Sequence, residues 1–142
     1  KNHVKLTGIE AKYAAPLTTN AKIAILHGAA QYCLQDKNGQ IADTHSISAG
    51  LDYPGVSPLH CMLKDTKRAK YTSCSDEEAL NALKLIWKYE NLRPSLEPAH
   101  AWAECIKIAP KLKKDEVIIV NNCGSGAKDV GIIKSKIGYY PK

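Results

Sequence analysis

Phenylalanine is absent from this 142-residue chain, methionine occurs once and tryptophan twice, so aromatic residues make up only 6% of it. A core built from it leans on Leu, Ile, Val and Ala, with Trp87, Trp102 and the tyrosines filling larger gaps. The five cysteines, Cys33, Cys61, Cys74, Cys105 and Cys123, are odd in number and show no C-x-x-C spacing. That argues against a disulfide framework or a zinc site, and for reduced thiols in a cytoplasmic or plastid-like compartment. No apolar run approaches the roughly 18 residues of a membrane span, and no apolar h-region follows the basic N-terminus. The histidines, His3, His27, His45, His60 and His100, form no metal-like pair four residues apart, and each reads as a surface or satisfied structural residue.

What remains is ordinary in bulk. A chain of this length can bury about 68–70% of its unfolded surface, so size permits an independent fold. The net charge of +6 invites a nucleic-acid reading, but the lysines are scattered among acidic residues and no aromatic-interleaved basic platform is present. The densest cluster, Lys111 to Lys114, reads as a solvated connection. No nucleic-acid or membrane partner is expected.

Periodicity and turn chemistry outline the elements. His3 to Ile9 alternates loosely, as a short strand does. Tyr32 to Gln35 and Gln40-Ile41 flank Asp36-Lys-Asn-Gly39, where Asn38-Gly39 suits a type I′ hairpin turn. Ser57-Pro58 predicts a helix start running to about Asp65, with Ser as N-cap, followed by a short strand from Tyr71 to Ser73. Ser75-Asp-Glu-Glu78 forms a capping box, and Leu80, Leu83, Ile86 and Trp87 follow on one stripe of a helix of about four turns. Pro98 opens another helix to Ile108, ended by Pro110. Glu116 to Val120 is a continuous apolar run, the pattern of a strand covered on both faces. Strands separated by helices predict an α/β layer architecture with a parallel sheet and a small β-hairpin.

In open α/β sheets, ligands bind beyond the C-terminal ends of the strands. Asn121-Asn-Cys-Gly-Ser-Gly126 leaves the apolar run at such an end, with glycines that let backbone approach a ligand. On pattern alone a binding loop and a plain turn stand equal.

Five landmarks in order break that tie: Gln35-Asp-Lys-Asn-Gly-Gln-Ile41, the Gly- and Pro-punctuated stretch from His45 to His60, Asp76-Glu-Glu-Ala-Leu80, Leu96-Glu-Pro-Ala-His-Ala101, and Val117-Ile-Ile-Val-Asn-Asn-Cys-Gly-Ser-Gly126. From about Val4 to about Val130 the chain resembles the C-terminal third of tryptophan synthase β chains. The resemblance implies one C-terminal segment, residues 1–142, of a fold-type-II pyridoxal-phosphate lyase that joins L-serine and indole into L-tryptophan by β-replacement. It also implies that Cys123, with Gly124, faces the pyridine nitrogen of the cofactor, where the family usually has serine, and that Glu97 lies beside the ring. Asp52 is then the acid that pairs with an arginine of the N-terminal part when the site closes. Tyr53 and Gly55 match positions whose backbone carbonyls bind a monovalent cation. The N-terminal part of the same enzyme, an α subunit and a β homodimer are the implied partners.

The family's cofactor lysine and its glycine-rich phosphate loop match nothing in this chain. Schiff-base catalysis needs one positioned amine and the phosphate needs a nest of backbone N–H groups, so the chain is expected to be catalytically incomplete by itself. It also departs from the family pattern. Ala11 to Ala15 stands where about ten more residues are usual in the resemblance, Gly131 interrupts the helix expected after Asp129, and Ser125 and Ala127 replace Arg and Asp. Two alternatives stay open: a fragment of another serine- or threonine-processing enzyme of the same cofactor fold type, which the cysteine at 123 favours, and a non-catalytic remnant or binding module.

Overall fold

The computed structural model describes residues 3–141. It is a mixed α/β structure with a parallel sheet and helices, and the chain divides into two compact units, one through Ser73 and one from Cys74 onward.

In the first unit, strand β1 (Leu6–Ala11) pairs with β4 (Ala69–Cys74) in a two-stranded sheet. Strands β2 (Lys22–Leu26) and β3 (Ala29–Cys33) form an antiparallel hairpin with Leu26 opposite Ala29. Its two-residue turn is His27-Gly28, with φ of 50° and 80°, and positive values at both central positions define a type I′ turn. That turn was expected at Asn38-Gly39 instead. There only Gly39 has positive φ, at 79°; the Asp36 carboxylate accepts from the N–H groups of Asn38 and Gln40, and a single Gln35–Ile41 bridge follows. The aspartate makes the turn, so Asn38 need not enter the left-handed region. Helix α1 spans Pro58–Asp65 as expected, although the Ser57 side chain makes no capping hydrogen bond.

In the second unit, α2 (Asp76–Glu90) carries the full capping box: the Glu78 N–H donates to Ser75 Oγ at 3.2 Å, and the Ser75 N–H to Glu78 Oε2 at 2.8 Å. Its buried stripe is Ala79, Ala82, Leu83, Ile86 and Trp87, with Leu80 only half-buried. Helix α3 (Leu96–Ile108) starts two residues before Pro98, which occupies the third helical position, where the missing N–H is an unpaired one anyway. The two helices pack together, and Lys107 Nζ lies 2.7 Å from Glu78 Oε1. A short 3₁₀ turn, Gly126–Asp129, leads into α4 (Val130–Ile137), whose Ile133 is fully buried. Gly131 therefore does not break this helix; it sits in the first turn.

The expected buried strand at Glu116–Val120 is not one. The segment is irregular backbone with no strand partner among the described residues; Val117 is 82% and Ile119 91% exposed. Hydrophobic composition reports what a segment can bury, while burial also needs neighbours on both faces and edges, which the second unit does not supply.

Candidate functional site

Helix α3 begins where several distant residues converge. Ser95 is its N-cap, yet its side chain caps nothing in the helix. The Ser95 hydroxyl donates to the carbonyl of Cys123 and its N–H to the carbonyl of Gly124, both at 3.3 Å. Next door, the Gly126 N–H donates to the Arg93 carbonyl at 2.9 Å, and Pro94 bridges Ser125. The loop Cys123–Gly126 is thus laid along the residues that lead into α3. Gly124 is required there: its φ is 84°, and a Cβ would stand 2.6 Å from Ser95 Oγ. On the other side, Trp102 Nε1 of α3 donates to Asn122 Oδ1 at 3.0 Å.

The helix start is capped from outside. The buried Asp129 carboxylate accepts the Leu96 N–H at 2.8 Å, supplying the acceptor that Ser95 does not. Its other oxygen lies 2.9 Å from Lys128 Nζ, and the same ammonium is 3.0 and 2.9 Å from the two oxygens of Glu97. Burial disfavours the Lys128 charge, but the hydrogen bonds to Asp129 and Glu97 outweigh it, so its pKa is raised. An amine held protonated between two carboxylates is a poor nucleophile, which removes Lys128 as a Schiff-base candidate.

His100 sits one turn into α3 and is fully buried. Desolvation lowers its pKa, against the hydrogen bond from Nδ1 to the Leu96 carbonyl at 2.8 Å. The neutral ring is satisfied only at Nδ1; Nε2 has no partner among the described residues. Cys123 is exposed rather than a buried structural thiol.

The structure brings Glu97, Cys123 and Gly124 to one end of α3. It holds Asp52, Tyr53 and Gly55 in the first unit, on a loop docked against the hairpin. The Leu51 and Asp52 N–H groups donate to the Ser48 carbonyl, Leu34 N–H to the Pro54 carbonyl at 2.7 Å, and Gly55 bridges Cys33. Gly55 is buried so closely that a Cβ would lie 2.5 Å from Gln31 Oε1. The Tyr53 hydroxyl is 2.6 Å from His27 Nδ1, tying the loop to the type I′ turn, and the Asp52 side chain projects from an exposed position. Beside this loop lies a cleft of about 330 Å³ lined by Leu51, Tyr53, Gly55, His60, Tyr71 and Glu10.

Lys128, Asp129 and Glu10 were not anticipated. Glu10 is buried, and its carboxylate accepts from the N–H groups of Leu17 and Thr18 and from the Thr18 hydroxyl, all at 2.9 Å at closest. These contacts close the short connection after β1, where Ala14 N–H also turns back to Ala11. A charged pair next to a glycine-rich loop was visible in Lys128-Asp129, but partners 31 and 33 residues away were not. Among the described residues, no group of three His, Cys, Asp or Glu side chains could hold a metal ion, and no helix is long and apolar enough to cross a membrane.

No protein-family model matches the chain. It is 46% identical over 143 residues to the tryptophan synthase beta chain of Chromobacterium violaceum, a match that takes in 95% of this chain and 36% of that protein. The tryptophan synthase beta chain of Allorhizobium ampelinum is also 46% identical over 143 residues, covering 95% of this chain and 35% of its own length. The chain thus spans about a third of the length of the curated relatives it matches. The matched stretch is 143 residues long although it uses only 95% of a 142-residue chain, so it includes positions that the relatives have and this chain lacks.

Proposed function

Since the chain belongs, along 95% of its length, with the tryptophan synthase β chains and corresponds to their C-terminal portion, we propose that it is part of a pyridoxal-phosphate lyase joining L-serine and indole to L-tryptophan by β-replacement. The observation that carries the site is the docking of Cys123-Gly124 on Ser95 at the start of α3, two residues from Glu97. This fits one edge of the cofactor. An exposed thiol at the end of a clamped loop can donate its proton to an unprotonated ring nitrogen, and a fixed carboxylate lies on the adjoining turn. When bound, the cofactor supplies the electron sink for the reaction.

The roles of this chain's residues follow from their surroundings. Cys123 orients the ring through its nitrogen, and Gly124 keeps that loop close enough to Ser95 to be rigid. Glu97, held in place by its ion pair with the Lys128 ammonium, is positioned to exchange protons at the ring edge. Asp52, exposed on its loop, is available to an arginine of the remaining enzyme and so serves closure, which excludes water. The Tyr53 and Gly55 carbonyls are the proposed oxygens for a monovalent cation. The cofactor lysine, the phosphate nest and the α and β partners come from outside this chain, which by itself is catalytically incomplete.

Incubation with pyridoxal phosphate, borohydride reduction and mass spectrometric mapping test this reading. No single stoichiometric lysine adduct is expected on the chain alone; one such adduct would show a complete site and overturn the claim of incompleteness. Supplying the N-terminal portion of a relative as a separate chain should restore conversion of serine and indole to tryptophan. Pyruvate in place of tryptophan would favour a different serine-processing enzyme. The exposed Val117 and Ile119 favour, as a second reading, a binding module, which the same complementation would rule out by yielding activity.

A further inference from the structure

Beyond α4 the chain turns back on the second unit. Gly138 caps that helix with a φ of 81°, and its N–H donates to the Lys134 carbonyl at 2.9 Å, the left-handed ending that reverses a chain. The two tyrosines that follow both meet Trp87, on the buried stripe of α2, in T-shaped contacts. Ring centroids lie 5.9 Å apart for Tyr139 and 5.2 Å for Tyr140. Arg93 Nε then donates to the Pro141 carbonyl at 3.3 Å. Residues 138–141 are thereby tied to α2 and to the lead-in of α3, and they make a third contact on the Cys123–Gly126 loop. Gly126 is buried although Ser125 and Ala127 on either side of it are exposed. A Cβ at Gly126 would stand 2.6 Å from the Pro94 carbonyl oxygen, 3.1 Å from that of Arg93 and 2.8 Å from the Tyr140 hydroxyl. The two carbonyls belong to the clamp under the loop; the tyrosine is brought by the returning chain.

We infer that Tyr140 is a positioning residue: anchored on Trp87, it locks Gly126 onto the Arg93 carbonyl and so fixes the 3₁₀ turn that carries Lys128 and Asp129. Gly126 is the first residue of that turn, and its N–H donates to the Arg93 carbonyl at 2.9 Å. The hydroxyl end of Tyr140 occupies the space beside Gly126 from which water would compete for that carbonyl, and a hydrogen bond shielded from water is harder to open. Opening it would release the turn at one end. With the turn would go the Asp129 carboxylate that accepts the Leu96 N–H and the Lys128 ammonium that holds Glu97. Tyr140 thus acts on Glu97 only through Gly126 and the turn. What the loop faces rests on the proposed function, while the lock is a property of this chain alone.

Native-state hydrogen exchange of the Gly126 and Leu96 amides, followed by NMR on the chain without cofactor, tests the lock. Tyr140→Ala removes one aromatic pair with Trp87, so both amides should exchange roughly two- to tenfold faster. Tyr140→Phe keeps the ring on Trp87 and should restore protection. Ser75→Ala, which weakens the opposite end of α2 and leaves the returning chain in place, should leave both amides unchanged, because they exchange by local opening. Unchanged exchange in Tyr140→Ala would overturn the inference, as would equal acceleration in Tyr140→Phe, or acceleration by Ser75→Ala to the same extent as by Tyr140→Ala. Since the measurement needs neither cofactor nor complement, the lock and the proposed function can fail separately.

Discussion

Replacing Asp129 by alanine removes the carboxylate that accepts the Leu96 N–H, a donor at the start of a helix in a residue with no solvent exposure. An unsatisfied buried amide costs about 1–3 kcal/mol. The lost contact to Lys128, whose side chain is half exposed, adds at most about 1 kcal/mol after solvent screening. The two together give about 1–4 kcal/mol, or a drop in urea midpoint of roughly 0.5–2 M for a slope near 2 kcal/mol/M. Both tryptophans, Trp87 and Trp102, lie in the second unit, so tryptophan fluorescence follows this unit alone. Asp129→Asn retains an acceptor for Leu96 but turns an amide toward the ammonium, and should fall between the wild type and the alanine variant. A loss below about 0.5 kcal/mol for Asp129→Ala would mean that water caps α3 as well as the carboxylate does, and the clamp would lose its role.

Gly124→Ala, which combines a φ of 84° with a Cβ 2.6 Å from Ser95 Oγ, should cost about 1–3 kcal/mol in the same fluorescence assay; a neutral result would show that the loop does not hold to Ser95. Alkylation followed by mass spectrometry should label exposed Cys123 well before Cys74, which is buried and whose pKa burial pushes up to about 12. Desolvation raises the Glu10 pKa above its ordinary 4.5, despite its hydrogen bonds from Leu17 and Thr18. A carboxyl that holds its proton more tightly when folded contributes stability below pH 4.5 and loses it as pH rises through the folded value. Urea midpoints measured upward from pH 4.5 should therefore fall more steeply in the wild type than in Glu10→Gln; parallel slopes would remove Glu10 as the source. Ser75→Ala breaks the capping box and should destabilise α2 by about 1 kcal/mol, read as a lower thermal midpoint.

The local features of α1, α2 and α3 were legible because their causes lie within a few residues. Pro58, the box Ser75–Glu78 and the spacing of Leu83, Ile86 and Trp87 act through neighbouring turns. The landmark at Cys123-Gly124 was legible too, since a glycine at positive φ leaves a mark in the sequence. His27-Gly28 was overlooked because a histidine in the left-handed region is uncommon and nothing local announces it.

The sequence by itself determined the composition of the core, the helix starts, the order of the landmarks and, through them, the family. Those follow from propensity, period and residue identity, which are properties of the chain. Only the tertiary structure decided that Asp129 rather than Ser95 caps α3, that Lys128 joins Glu97 to Asp129, and that Glu10 closes the connection after β1. It also left the apolar run Val117–Val120 bare, where the sequence pattern had promised a covered strand. Each of these depends on groups that are far apart in sequence or on neighbours outside the segment, and no local pattern encodes what stands across from it.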